Sequence, residues 1–276
     1  MLDRAQSPVL PVDLPPFPIV VIKALQLVSN DKAPLRELSQ LISTDPALSS
    51  EILRIANSAL YGLRIEVESA FTAMILLGLE RIKAVVVTSA VRHYIGKTFE
   101  VPWMRICWRH SLACALIAKE LAKGSSIGED VAYTAGILHD VGRLALAVGF
   151  PDRYGEFLMS REAASSDILE REREIFGTDH CEAGSALMSR WDIPKSLVVV
   201  ASHHHDAPEE GDPGVLSIVR HGCRFADVLG FEVIQTARPR TYEELLAELP
   251  SPNRLPSDPE EFAFQIAAKI NSIETP

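Results

Sequence analysis

GILHDVGRLAL, residues 136–146, sets an imidazole and a carboxylate, His139 and Asp140, side by side where apolar packing is expected. A charge buried there needs a partner, because it loses its hydration and gains nothing from aliphatic neighbours. A divalent metal ion is the partner that fits. Neutral imidazole and carboxylate together suit ions such as Mn²⁺, Fe²⁺ or Zn²⁺, and adjacent helical side chains can converge on an ion lying between them.

The histidines on either side follow the same logic. Seven of the eight (His110, His139, His180, His203, His204, His205 and His221) fall between residues 110 and 221, leaving only His93 in the first hundred. His110 follows WMRICW and opens SLACALIAKELA, so its neighbours one turn away are Ile106, Cys107, Ala113 and Cys114, an apolar face. His180 stands in TDHCEAGSALMSRW beside small or apolar residues, and Asp227 stands four residues after Cys223 in VRHGCRFADVLG. Any one of these alone would more often be a hydrogen-bonded core residue than a ligand. Together they run His, His-Asp, His, a His cluster, then Asp, at intervals of about thirty, forty, twenty-four and twenty-two residues.

That order resembles the HD superfamily of metal-dependent phosphohydrolases. The resemblance implies His110 as first metal ligand, His139 and Asp140 as the HD pair, with Asp140 bridging where two ions are bound. It further implies His180 and the His204-His205 pair as the ligands of two-metal members, and Asp227 as the last ligand. His203 in place of His205 stays open at this stage. The metal expected is Fe, Mn, Zn or Mg, as one or two ions or none. Asp140 and Arg143 are the candidate catalytic residues, with Lys119 and Lys123 as further phosphate-facing candidates.

The amino-terminal half sharpens the resemblance. LPPFPIVVIKALQLVSNDKAPLRELSQLISTDPALSSEILRIANSALYG, from Leu14 to Gly62, and ESAFTAMILLGLERIKAVVV, ending at Val87, look like the first half of an HDOD domain. The two halves together span about residues 14–230. HDOD modules occur mainly in bacterial signalling and regulatory proteins, and many have lost metal ligands. The resemblance therefore implies a regulatory, signal-transduction module acting through signalling proteins as partners. Its alternative is an active phosphohydrolase, a phosphomonoesterase or nucleotide phosphodiesterase, with a phosphoester or nucleotide ligand. The HD-GYP phosphodiesterases read HDIGK and carry Gly-Tyr-Pro after the later histidines. Here Arg143 stands at the Lys and HHHDAPEEGDPG follows, which argues against cyclic di-GMP hydrolysis. An Arg keeps the charge but not the titratable proton. Ile106, where some relatives have Glu, argues against a third metal site.

Composition agrees with a helical cytoplasmic protein. The chain has 276 residues, 47% of them apolar, enough for a sizeable core. Its four cysteines, Cys107, Cys114, Cys181 and Cys223, form no C-x-x-C pair and read as small buried groups in a reducing compartment. No signal peptide or membrane span is expected. A net charge of −10 disfavours nucleic acid as a partner. LGLERIKAVVVTSAV, from Leu77 to Val91, reads as a core helix rather than a DNA-binding one, and LEREREIF and PSDPEEF read as a solvated helix face and a helix start.

The expected fold is all-α, an HD-domain-like multi-helix bundle with an amino-terminal helical subdomain. The parts are an extended leader over 1–13, the amino-terminal helical half over 14–98, the HD-like half over 99–230 and a carboxy-terminal tail over 231–276 packing on the HD-like half. Helices are expected near 20–29, 35–43, after Asp45, 69–96, 103–123, 129–148, 152–160, 166–175, 179–191, 194–204, 213–230, 241–248 and 259–272.

Overall fold

A computed structural model describes residues 22–23, 35–58, 60–96, 100–160, 167–207, 214–234, 240–249 and 255–274. The leader over 1–13, and the helix over 20–29 apart from residues 22 and 23, lie outside the described residues. Among the described residues there is no strand, and the fold is all-α.

Local chemistry starts the amino-terminal helices. Between α1 (Leu35–Ser43) and α2 (Pro46–Ala56), Asp45 accepts hydrogen bonds from the amides of Ala47 and Leu48, both at 3.0 Å, and Pro46 supplies the fixed φ of the first turn. Asn57, which ends α2, donates to the Val67 carbonyl at 2.9 Å and accepts from the Val67 amide at 2.8 Å. That two-way clamp fixes the loop leading to α3 (Ala70–Ile95), and it explains the Asn of the RIANSALYG run. The helix is broken at Gly78, whose φ of 78° an L side chain rarely adopts. Beyond the break Ile82 and the run Ala84–Val87 are buried, as a core helix requires.

The centre of the molecule is α4 (Pro102–Ala122). Its residues from His110 to Ala118 are all buried, so the helix is covered on every side. Small residues allow this. A Cβ added at Gly136 would meet the Ala115 Cα at 2.5 Å, and one added at Gly222 would meet the Cys114 carbonyl oxygen at 3.1 Å. The elements carrying those glycines, α5 (Glu129–Leu138) and α11 (Gly214–Ala226), therefore press backbone to backbone against α4.

The helix expected over 129–148 is two helices. α5 ends at Leu138 and α6 (Val141–Gly149) begins after Asp140, whose φ of −102° and ψ of 18° leave helical geometry. The Arg143 amide donates to the Asp140 carbonyl at 2.9 Å, a tight turn. Neighbouring residues of an unbroken helix point about 100° apart. The turn at Asp140 instead lets it face the same space as His139.

Next come α7 (Pro151–Leu158), α8 (Ile168–Phe176), α9 (His180–Arg190) and α10 (Lys195–His203). After α11 the chain makes a π turn over Asp227–Phe231, then α12 (Tyr242–Glu248) and α13 (Pro259–Glu274). α13 lies on α4 and also touches α2: Glu274 pairs with Arg109 at 2.6 Å, and Arg54 of α2 donates to the Ile273 carbonyl. One apolar core runs from Leu38 to Ile273 through both halves. Among the described residues, α5 and α6 taken together, Glu129–Gly149, have the length and apolar character of a membrane span, and 83% of that apolar window is buried inside the protein.

Gly142 sets how close α6 lies to α9, because a Cβ there would stand 1.8 Å from the His180 carbonyl oxygen. Gly142→Ala is expected to lower stability by about 1–3 kcal/mol, read as a fall in the urea midpoint. Gly214→Ala, whose Cβ meets only the Ile127 side chain at 3.4 Å, is expected to leave the midpoint nearly unchanged.

Candidate metal centre

Five histidines and one aspartate from five places in the chain meet in the middle of the carboxy-terminal half. His110 comes from α4, His139 from the end of α5 and Asp140 from the turn. His180 is the first residue of α9, and His204 and His205 follow α10.

Each buried ring is fixed from behind through Nδ1. His139 Nδ1 lies 2.7 Å from the Gly136 carbonyl, His204 Nδ1 3.1 Å from the Ala201 carbonyl, and His110 Nδ1 3.0 Å from the Phe231 carbonyl. His180 Nδ1 lies 2.6 Å from Glu172 Oε2. Carbonyl and carboxylate oxygens only accept, so Nδ1 carries the hydrogen in each case and the Nε2 of the neutral ring keeps its lone pair. Burial favours that neutral state, pushing His139 down to about 3 and lowering His180 as well. For Asp140 burial alone would favour the protonated form, but the Arg143 guanidinium beside it outweighs this and holds the carboxyl well below its usual range.

The lone pairs converge. His204 Nε2 and His180 Nε2 stand 3.3 and 3.4 Å from Asp140 Oδ1, while His110 Nε2 and His139 Nε2 each stand 3.8 Å from Oδ2. The Nε2 atoms of His139, His180 and His204, with Asp140 Oδ1, are buried and have no hydrogen-bond partner. Acceptors turned on one another in a dry interior repel unless a cation lies between them. A tetrahedral ion with N and O bonds of about 2.0–2.2 Å holds its ligand atoms about 3.3–3.5 Å apart. The residues fit a metal ion.

Two groups of donors lie on the two oxygens of Asp140. Asp140, His180, His204 and His205 form one, and His110, His139 and Cys223 form the other, with the donor atoms of each group within 4.8 Å of one another. His205 is exposed and His204 buried, whereas His203 turns outward, its Nδ1 2.7 Å from Asp206 Oδ2. His205 is thus the companion of His204. Asp227 is in neither group. Its Oδ1 lies 3.5 Å from His110 Nδ1, behind the ring, and its side chain is 41% exposed. A cleft of about 580 Å³, lined by Ile106, Arg109, Met159 and Glu232 among others, adjoins Phe231.

Arg143 does not open on this space. Its guanidinium is buried, with Nε 2.9 Å from Asp140 Oδ2 and Nη1 3.4 Å from Glu172 Oε1. Glu172 accepts from the Tyr154 hydroxyl at 2.8 Å and from the amide and ring of His180. Asp140, Arg143, Glu172 and His180 thereby close a buried ring. Lys119 and Lys123 pair with Asp130 and Glu120.

Glu172 corrects the reading of LEREREIF as a solvated face, since this residue is fully buried. The signal was in the spacing: Ile168, Glu172, Ile175 and Phe176 share one helical stripe, so Glu172 occupies an apolar position. Tyr154 and Cys223 carried no comparable signal. Glu172→Gln is expected to destabilise the protein by about 2 kcal/mol or more, because it leaves Arg143 under-compensated in a dry site. Thermal unfolding checks this, with Glu170→Gln, exposed on the same helix, expected to behave as wild type.

A family model for the HDOD domain matches residues 14–207. An HDOD domain protein of unknown function from Geobacter sulfurreducens is 25% identical and superposes with a TM-score of 0.69, over 95% of this chain and 92% of its own. A candidate metal-dependent phosphohydrolase from Shewanella amazonensis (24%, TM-score 0.65, 95% and 93% covered) shares the fold. So does a candidate signal transduction protein from Marinobacter aquaeolei (20%, TM-score 0.68, 95% and 58% covered). An uncharacterised protein of Treponema pallidum is 24% identical over 213 residues, which are 75% of this chain but 41% of that protein. The family match covers the ion-facing residues from His110 to His205, and the chain belongs to the HDOD domain family.

Proposed function

We propose that this protein is a divalent-metal-binding signalling module of the HDOD family, and that the centre around Asp140 is its working part. The carrying observation is the set of buried, unpartnered lone pairs on His139, Asp140, His180 and His204. Such a set costs several kcal/mol as it stands and is relieved by one charged group, a cation. His110, His139, Asp140, His180, His204 and His205 would hold one or two ions, with Asp140 contributing one oxygen to each. Arg143 would hold Asp140 ionised, and Glu172 would fix the His180 ring with its hydrogen on Nδ1 and its Nε2 toward the site. Asp227 keeps the His110 ring oriented from behind.

A hydrolytic role is favoured by His205. It is the exposed member of its group, so the ion on that side would face solvent and could meet a phosphoester. A bound ion there would supply an activated water and polarise a phosphoryl oxygen. The protein's own part is to keep Asp140 ionised and the imidazoles neutral, and to exclude water from the remaining sides.

Elemental analysis of protein purified without a histidine tag is the deciding measurement. One or two equivalents of Fe, Mn or Zn are expected in the wild type, and at least tenfold less in Asp140→Ala. His203→Ala, which alters the outward-turned histidine, is expected to keep its metal. Metal-free wild type that is well folded would overturn the reading. Hydrolysis of bis-p-nitrophenyl phosphate by the loaded wild type, lost in His205→Ala, would establish the hydrolytic role.

A further inference from the structure

Cys223 is the third member of the second group of donors, beside His110 and His139. Its Sγ lies 3.5 Å from His110 Nε2, the ring nitrogen that faces Asp140, and within 4.8 Å of the ligand atom of His139. His139 Nε2 is itself buried and has no hydrogen-bond partner. The two nitrogens of His110 divide the neighbouring residues of α11 and the π turn between them. Asp227, one turn after Cys223, reaches Nδ1 at 3.5 Å, together with the Phe231 carbonyl at 3.0 Å. Nδ1 is thereby committed to oxygen acceptors, and Nε2 is left to the thiol.

The separation also has the right size. An ion bound at about 2.3 Å by sulfur and 2.0 Å by nitrogen in tetrahedral geometry holds those two atoms about 3.5 Å apart. The second thiol near the centre serves as the contrast. Cys181 Sγ lies 3.9 Å from His204 Nδ1, on the back of its ring, and cannot share an ion with the lone pair on Nε2. Burial of both cysteines in helices made them look equivalent in sequence; the face of the histidine that each meets separates them.

The geometry points to Cys223 as a thiolate metal ligand, completing a His110, His139, Cys223 site that shares Asp140 with the neighbouring one. This rests on the proposed metal centre and specifies its chemistry. Binding forms a metal–sulfur bond as the thiol proton passes to solvent. A site with one soft sulfur, two imidazoles and a carboxylate edge selects Zn²⁺ or Fe²⁺ over Mg²⁺ and Mn²⁺, while the group around His205, which holds only nitrogen and oxygen donors, does not discriminate so strongly.

Cobalt reports the ligand directly. Metal-free full-length protein titrated with Co²⁺ is expected to develop visible ligand-field bands together with a near-ultraviolet sulfur-to-cobalt charge-transfer band. Cys223→Ser is expected to lose the near-ultraviolet band while Cys181→Ser keeps it. Cys223→Asp, which restores an oxygen donor, is expected to bind Co²⁺ without that band, and its preference for Zn²⁺ over Mn²⁺ should fall at least tenfold by competition. Thermal unfolding of each variant confirms that it is folded. Cobalt bound with no charge-transfer band, or a band that survives in Cys223→Asp, overturns the assignment of Cys223 and leaves the metal centre standing. Failure of folded wild type to bind Co²⁺ overturns both.

Discussion

The arrangement depends on a single carboxylate, Asp140, held ionised in a dry interior with imidazole lone pairs turned on both of its oxygens. That constraint accounts for features that would otherwise be separate. The chain leaves helical geometry at Asp140 so that it and His139 face one space. Gly142 and Gly184 remove side chains from the contact between α6 and α9, bringing the first turn of α9, and His180 with it, against that break. Arg143 then compensates the carboxylate, and Glu172 accepts from Nδ1 of the His180 ring and pairs with Arg143.

A ring of this kind is poor evidence for stability. Desolvating four charged or polar groups costs about as much as their mutual attraction returns, and an apolar replacement of the same shape is often as stable. What the ring does provide is definition. Each buried histidine has one tautomer because its Nδ1 faces an oxygen acceptor: a carbonyl at a helix end for His139 and His204, a buried carboxylate for His180, and the π turn for His110. The π turn follows directly on α11, whose Gly222 lies against α4. The packing of small residues along α4 is therefore the means by which His110 and its distant carbonyl partner are held at hydrogen-bonding distance.

Much of this was legible in the chain before folding was considered. The helix start after Asp45, the all-helical pattern, and the order His, His-Asp, His, His cluster all depend on local chemistry or on spacing, which a sequence displays. Three features were not legible, each for a tertiary reason. The run Glu129–Gly149 has continuous apolar character, and the break at Asp140 goes with close packing of its two parts on α4 and α9. Glu172 occupied an apolar stripe that was visible, but its buried cation lies twenty-nine residues earlier. Asp227 and Cys223 share one face of adjoining turns, so spacing could not tell which reaches the Nε2 of His110; the direction in which that ring faces decided it.

The two sides of Asp140 are unequal in a way that bears on use. On one side His205 is the exposed member of its group, so on the proposed metal reading an ion there would be open to ligand exchange. On the other His110 and His139 are buried and Cys223 is only partly accessible, so an ion there is enclosed by side chains. A carboxylate shared by ions on both sides would couple them: charge placed on the enclosed side would withdraw electron density from Asp140 and weaken its hold on the open one. On the metal reading proposed above, filling the enclosed side would thus raise the Lewis acidity of an ion on the open one.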